Sequence, residues 1–122
     1  MDIENSVIVI TGAGQGLGQM MAVTLAQMGA QLALIDVNTV GLRQTQDQCH
    51  MLNSMARIYE ADVTSEDQVE EAFTHIMEDF EHIDILINNA GILDDGLLVQ
   101  KDQTGISKMS LDQFQTVMNV NV

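Results

Sequence analysis

Glycine crowds into the stretch Thr11-Gly12-Ala13-Gly14-Gln15-Gly16-Leu17-Gly18, directly after the apolar run Val7-Ile8-Val9-Ile10. A β-branched run, closely spaced glycines and then Met20-Met21-Ala22-Val23-Thr24-Leu25-Ala26 predict strand, tight turn and helix, in that order. Only glycine lets a backbone take positive φ and approach a bulky anion without a Cβ in the way. The helix that follows aims its free N–H groups and the positive end of its dipole at the same spot. The arrangement predicts a nucleotide-phosphate cradle suited to a pyrophosphate.

The alternation of strand and helix continues along the 122 residues. Val7–Thr11 is predicted as a strand and Gly16–Met28 as a helix ended by Gly29. Gln31–Asp36 follows as a second strand, then a helix from Asn38 or Thr39 to about Asn53. Ala56–Glu60 is a weaker third strand. Ser65 has the side chain of a helix cap, with Glu66 and Asp67 in the first turn. The apolar face behind it is Val69, Ala72, Phe73, Ile76, Met77 and Phe80. Ile83–Ile87 is the fourth strand, running into Asn88-Asn89-Ala90-Gly91. Strands apolar on both faces and separated by helices indicate a parallel sheet covered on each side. With right-handed crossovers the class is α/β, a doubly wound Rossmann-type sheet. From Ile92 to Met109 the rhythm breaks into turn-like segments around Leu97-Leu98-Val99, a short strand or hairpin, and a last helix begins near Ser110. No repeat, linker or second domain is visible, and proline is absent.

Composition removes several function classes. Four basic residues stand against eighteen acidic ones, a formal net charge of −14 that would repel a nucleic-acid backbone. No apolar run approaches the ~20 residues of a membrane span. The start Met1-Asp2-Ile3-Glu4-Asn5 lacks the basic and apolar regions of a secretory signal. The single cysteine, Cys49, leaves no internal disulfide framework, so a cytoplasmic setting is expected. His50, His75 and His82 have no metal-ligand spacing. The nine methionines read as core, and Glu78-Asp79-Phe80-Glu81 as a solvated helix end.

The dinucleotide fingerprint G-x-G-x-x-G is not met, because the third glycine would fall on Leu17 or Gln19. What stands is Thr-Gly-x-x-x-Gly-x-Gly over Thr11–Gly18. Asp36 closes the second strand, Asp62-Val63 follows the third, Asp84 precedes the fourth and Asn88-Asn89-Ala90-Gly91 follows it. Near the end comes Val117-Met118-Asn119-Val120-Asn121-Val122. In spacing and order this set resembles the short-chain dehydrogenase/reductase family over the whole chain. Asp84–Ile92 is most similar to the 3-oxoacyl-carrier-protein reductase type.

The resemblance implies roles residue by residue. Gly12, Gln15, Gly16, Leu17 and Gly18 would border the pyrophosphate, although the glycines could serve helix–strand packing alone. Asp36 either caps the next helix or accepts both hydroxyls of an adenosine ribose and repels a 2′-phosphate. Relatives that take the phosphorylated cofactor tend to carry a basic residue at the position of Gln15 or Val37. Both are uncharged here, so NAD is expected in preference to NADP, although 3-oxoacyl reductases usually take NADPH. Asp62 would accept the adenine amino group with the Val63 backbone beside the ring, or else simply start a turn. Asn89 and Ala90 would lie along the ribose and Gly91 would keep the cofactor channel open. Two asparagines at a strand end could equally bond neighbouring backbone. Asn121 would hold a water in the proton relay, with Asn119 a rival for that register.

The family's reaction moves a hydride between nicotinamide and a secondary alcohol or ketone, here including a 3-oxoacyl or 3-hydroxyacyl thioester. Its proton donor is a tyrosine with a lysine four residues later. The only tyrosine is Tyr59, with Val63 four residues on. Residues 1–122 are therefore expected to be the dinucleotide-binding part of one domain, truncated before the catalytic tyrosine and lysine and inactive alone. The complete protein is expected to be a homo-oligomer. A free-standing nucleotide-binding module and a purely structural fragment remain open at this level.

Overall fold

The computed structural model describes residues 3–89. Four strands form one parallel sheet in the order β3-β2-β1-β4. They are β1 (Val7–Thr11), β2 (Gln31–Asp36), β3 (Ala56–Glu60) and β4 (Ile85–Asn88), with helices α1 (Gly16–Gln27), α2 (Thr39–Met51) and α3 (Glu66–Phe80) between them. β1 pairs with β2 from Val7↔Gln31 to Thr11↔Ile35, and with β4 from Ile8↔Ile85 to Thr11↔Asn88. The chain steps from β1 outward to β3, then crosses back to place β4 on the other side of β1. The strand order thus reverses between β1 and β4, and in open α/β sheets such a reversal, at the carboxyl ends of the strands, is where ligands bind.

Side chains on a strand alternate between faces, so a strand covered on both sides must be apolar throughout. β1 is buried at all five positions. Val7, Val9, Ala33, Ile35 and Leu86 meet Val69, Phe73, Ile76 and Phe80 of α3. Ile8, Ile10, Leu32 and Leu34 meet Ala22 and Ala26 of α1 and Leu42 and Cys49 of α2. The small alanines of α1 let that helix lie close to the sheet. Two purely local signals hold the helix starts: Asn38 accepts a hydrogen bond from the Gly41 N–H at 3.0 Å, and Ser65 one from the Gln68 N–H at 3.3 Å.

Several expectations shift by a turn or less. α2 stops at Met51 rather than Asn53, because Asn53 takes φ 63° and its N–H turns back to the His50 carbonyl. β4 starts at Ile85 rather than Ile83, because Asp84 uses its carboxylate to accept the Val7 N–H at 2.8 Å. Along α3, Met77 is only half-buried while the other apolar positions are covered. The acidic end of α3 is not wholly solvated: Phe80 is buried, and Asp79 accepts the Tyr59 hydroxyl at 2.7 Å. The methionine expectation fails more broadly. Met20, Met28, Met51 and Met55 are between 48% and 82% exposed, on α1, at the ends of α1 and α2, and directly before β3. The predicted elements in residues 92–122 lie outside the described residues.

Cys49 is fully buried on α2 against the Ala22 carbonyl, and burial pushes its thiol up to about 11. Since the thiolate is the reactive form, Cys49 in the folded protein should stay unreacted with a thiol reagent at pH 8 and label fully in denaturant. Rapid labelling of the native protein would contradict the packing described.

Candidate functional site

The turn that joins β1 to α1 stands at the carboxyl end of β1, at the reversal point of the sheet. Gln15 has the extended backbone of an N-cap but makes no side-chain cap bond, so the first N–H groups of α1 are left for other acceptors. Gly16 takes φ 56°, and a Cβ built there would meet nothing within 4 Å. Gln15, Gly16 and Leu17 are exposed, Leu17 at 60%. An uncapped helix start facing open space, approached by bare backbone, is what an anion needs.

The inner side of the turn is tightly packed. A Cβ on Gly18 would lie 2.0 Å from the Gly12 carbonyl oxygen, and one on Gly41 of α2 would lie 2.0 Å from that of Gly14. Both glycines are therefore required by the close approach of two backbones. Asn89, just past β4, donates from Nδ2 to the Gly12 carbonyl at 3.3 Å, and Thr11 donates its hydroxyl to Asn88 Oδ1 at 2.8 Å. The paired asparagines thus stitch the β1 and β4 ends together across the reversal point. The bonding expected of them as structural residues is present for Asn88 and Asn89.

Asp36 ends β2 beside the turn. Its Oδ2 accepts the Gly14 N–H at 2.8 Å, while Oδ1 accepts the N–H groups of Val37 at 2.7 Å and Asn38 at 3.3 Å. The carboxylate therefore fastens the glycine turn to β2 and shapes the entry to α2, a task the sequence reading did not give it. The helix-cap alternative is set aside, since Asn38 caps α2. A carboxylate offers about four lone-pair sites, so Oδ2 retains capacity for a further donor. Val37 beside it is 58% exposed and apolar.

Asp62 and Val63 follow β3 on the same carboxyl edge. Asp62 Oδ1 accepts from the Thr64 hydroxyl at 2.7 Å and from the Thr64 N–H at 2.9 Å. Those two bonds hold its carboxyl below the usual carboxylate range. The turn-forming reading of Asp62 is thus present in full, while Val63 packs against the α3-side core. Tyr59 is occupied with Asp79 on the α3 side, and burial together with that bond pushes its hydroxyl well above the ordinary phenol value. Its hydroxyl proton is engaged by Asp79. Ala90, Gly91, Asn119 and Asn121 lie outside the described residues. Among the described residues, no cluster of three or more histidine, cysteine, aspartate or glutamate side chains could hold a metal ion, and no helix is long and apolar enough to cross a membrane.

A sheet of this order, with a glycine turn at its reversal point and a carboxylate at the tip of β2, defines a doubly wound, Rossmann-type α/β protein. Comparison with known proteins makes the class specific. The short chain dehydrogenase family model matches residues 6–122, and the chain belongs to that family. It is 32% identical over 122 residues to a 3-oxoacyl-acyl-carrier-protein reductase of Thermotoga maritima, covering 100% of this chain and 46% of the relative. It is 31% identical over 120 residues to an uncharacterized oxidoreductase of Staphylococcus epidermidis, covering 98% and 47%. The chain thus spans slightly under half the length of these relatives. Among solved structures, NAD+-bound xylitol dehydrogenase matches with a TM-score of 0.72 at 32% identity, over 96% of this chain and 42% of that one. Levodione reductase matches with 0.70 at 34% identity, over 93% and 42%.

Sequence reading missed the α2 side of the site: Asn38, Gly41 and Thr45. A signal existed, since a glycine in the first helical turn followed four residues later by a small polar residue marks one face for close approach.

The packing separates two glycines that look alike in sequence. Gly18→Ala should destabilise by about 2 kcal/mol or more, because backbone must move. Gly16→Ala should cost about 1 kcal/mol, the penalty for positive φ alone. Denaturant melts of the two variants test the order, and equal costs would refute it.

Proposed function

We propose that these residues form the adenosine and pyrophosphate half of an NAD-dependent oxidoreductase, one that moves a hydride between nicotinamide and a secondary alcohol or ketone. The observation that carries this reading is the glycine turn at the reversal point between β1 and β4, with Asp36 fastened to it. The pyrophosphate sits on the exposed side of Gln15, Gly16 and Leu17, where the α1 N–H groups are uncapped. Gly12 and Gly18 give the turn its close approach. The remaining acceptor capacity of Asp36 takes the ribose hydroxyls. Its negative charge and the uncharged side chains of Gln15 and Val37 favour NAD over NADP, since nothing there would neutralise a 2′-phosphate. Asp62 and Val63 border the adenine, and Asn89, Ala90 and Gly91 line the passage towards the nicotinamide.

NAD supplies the hydride acceptor when bound, and the chain's own part is to hold and orient it. The proton donor belongs to a longer protein, of which residues 1–122 are the dinucleotide-binding part. In it Asn121 supports the proton relay. A 3-oxoacyl or 3-hydroxyacyl thioester is a substrate class consistent with the similarity to the Thermotoga maritima reductase. The tight folding of residues 3–89 around the turn also favours a second reading, in which these residues bind NAD without chemistry.

Titration with NADH and NADPH, followed by their fluorescence, tests the binding claim. NADH should bind at least tenfold more tightly. Asp36→Ala should weaken NADH binding more than NADPH binding, narrowing the ratio about tenfold, the worth of a charge-assisted hydrogen-bond pair. Loss of the turn's anchor weakens both cofactors alike, so the ratio isolates the ribose contact. An unchanged ratio would remove the NAD assignment. Oxidation of a panel of secondary alcohols by the full-length protein tests the reaction itself.

A further inference from the structure

A pyrophosphate is repelled by carbonyl oxygens as strongly as it is attracted by N–H groups, so a phosphate turn works only if its carbonyls face elsewhere. Each carbonyl from Gly12 to Gly14 is directed into the protein. That of Gly12 lies against Gly18 and accepts from Asn89, and that of Gly14 lies against Gly41. The carbonyl of Ala13 accepts from the Thr45 hydroxyl at 2.8 Å. Thr45 stands four residues after Gly41 on the same face of α2 and is wholly buried.

The Thr45 hydroxyl has one proton and two carbonyls within reach, that of Ala13 and, at 3.0 Å, that of Gly41. The Gly41 carbonyl is inside α2, where the helix already supplies its donor four residues on. Gln19 of α1 donates from Nε2 into the Thr45 oxygen at 2.8 Å. That bond occupies a lone pair and leaves the hydroxyl proton for the Ala13 carbonyl. In a trans peptide the carbonyl and the next N–H point opposite ways. The peptide joining Ala13 to Gly14 is therefore gripped at both ends, its oxygen by Thr45 and its N–H by Asp36.

We propose that Thr45, oriented by Gln19, is a positioning residue for dinucleotide binding: it keeps the Ala13 carbonyl turned away from the pyrophosphate and so holds the turn in its anion-accepting shape. The inference rests on the dinucleotide-binding reading above and adds a residue of α2 that touches no part of the ligand. Replacing the hydroxyl by a methyl leaves a buried carbonyl without its donor, and the peptide is then held at its N–H alone, by Asp36, with its oxygen less firmly kept from the open side of the turn.

The test compares Thr45→Val, Thr45→Ser and Gln19→Leu in the full-length protein, with NADH affinity, melting temperature, and displacement of NADH by ADP and by adenosine as readouts. Thr45→Val should weaken NADH and ADP about tenfold and leave adenosine within about twofold, since only the first two carry a pyrophosphate. Thr45→Ser should restore NADH affinity to within about twofold. Gln19→Leu, at a half-exposed position, should weaken NADH and ADP severalfold with adenosine unchanged, and it carries the test if Thr45→Val does not fold. Unchanged ADP affinity in a folded Thr45→Val or in Gln19→Leu overturns the proposal. So does equal loss of ADP and adenosine, or failure of Thr45→Ser to rescue. A wild-type protein that binds neither NADH nor NADPH overturns the dinucleotide reading and this inference with it. Wild-type binding with insensitive variants overturns this inference alone.

Discussion

The contact of backbone with backbone at the β1–α1 turn is the constraint on which the rest of the structure depends. The Gly12 carbonyl lies where a Cβ of Gly18 would be, and the Gly14 carbonyl lies where a Cβ of Gly41 would be. These two approaches bring the start of α1 and the start of α2 onto the same short turn. The consequences spread outward. Asp36, at the end of β2, accepts the Gly14 N–H, and Thr45 reaches the Ala13 carbonyl because Gly41 lets α2 come so near. The turn is thus held by β2, α1 and α2 together while its outer side stays bare.

Sheet topology places that turn where it is useful. Were β4 to follow β3 on the same side, β1 would lie at the sheet edge and its turn would not stand at a reversal of strand order. The reversal costs a long crossover, and the chain anchors it at both ends of β4. Asp84 pins the beginning by accepting the Val7 N–H, and Asn88 and Asn89 tie the end to Thr11 and Gly12. Three polar side chains within six residues therefore do for β4 what hydrophobic burial does for β1. Leu86 is the fully buried member of the strand.

Residues whose role depends on near neighbours in sequence were legible before the structure. The strand–turn–helix of Val7 to Gln27, the serine cap of α3 and its apolar stripe follow from local periodicity and capping, and they stand within a residue or two. The fold class follows from the same alternation. What was illegible depended on distance. The Gly41–Thr45 spacing marks a face for close approach but not its partner, Ala13, thirty-two residues earlier, and nothing local marks Asp79 as the partner of Tyr59, twenty residues earlier. The methionines misled for a different reason. Hydrophobicity says a side chain gains from burial, but the outer faces of α1 and α2 and the lower rim of the sheet have no element above them among the described residues. Met20 and Met51 project there. Asp36 shows a third kind of limit: its position at the strand tip was readable, yet its grip on three backbone N–H groups was not, because that depends on how the turn folds back.

The proposed site asks an acidic chain to hold an anion, an electrostatic contradiction with a net charge of −14 and four basic residues in all. The described cations, Arg43 and Arg57, lie on α2 and β3 and hydrogen-bond nothing in the turn. The resolution lies in range. Surface carboxylates act across water and salt, where fields fade over about 8 Å at physiological ionic strength. The N–H groups of the turn and the end of the α1 dipole act at contact, where nothing screens them. A neutral backbone can therefore outweigh a larger but distant charge, provided its N–H groups converge and its carbonyls are kept away. That proviso makes the inner side of the turn as important as the outer. In the proposed site, orientation of three carbonyls takes the part that a lysine or arginine plays in sites built on side-chain charge.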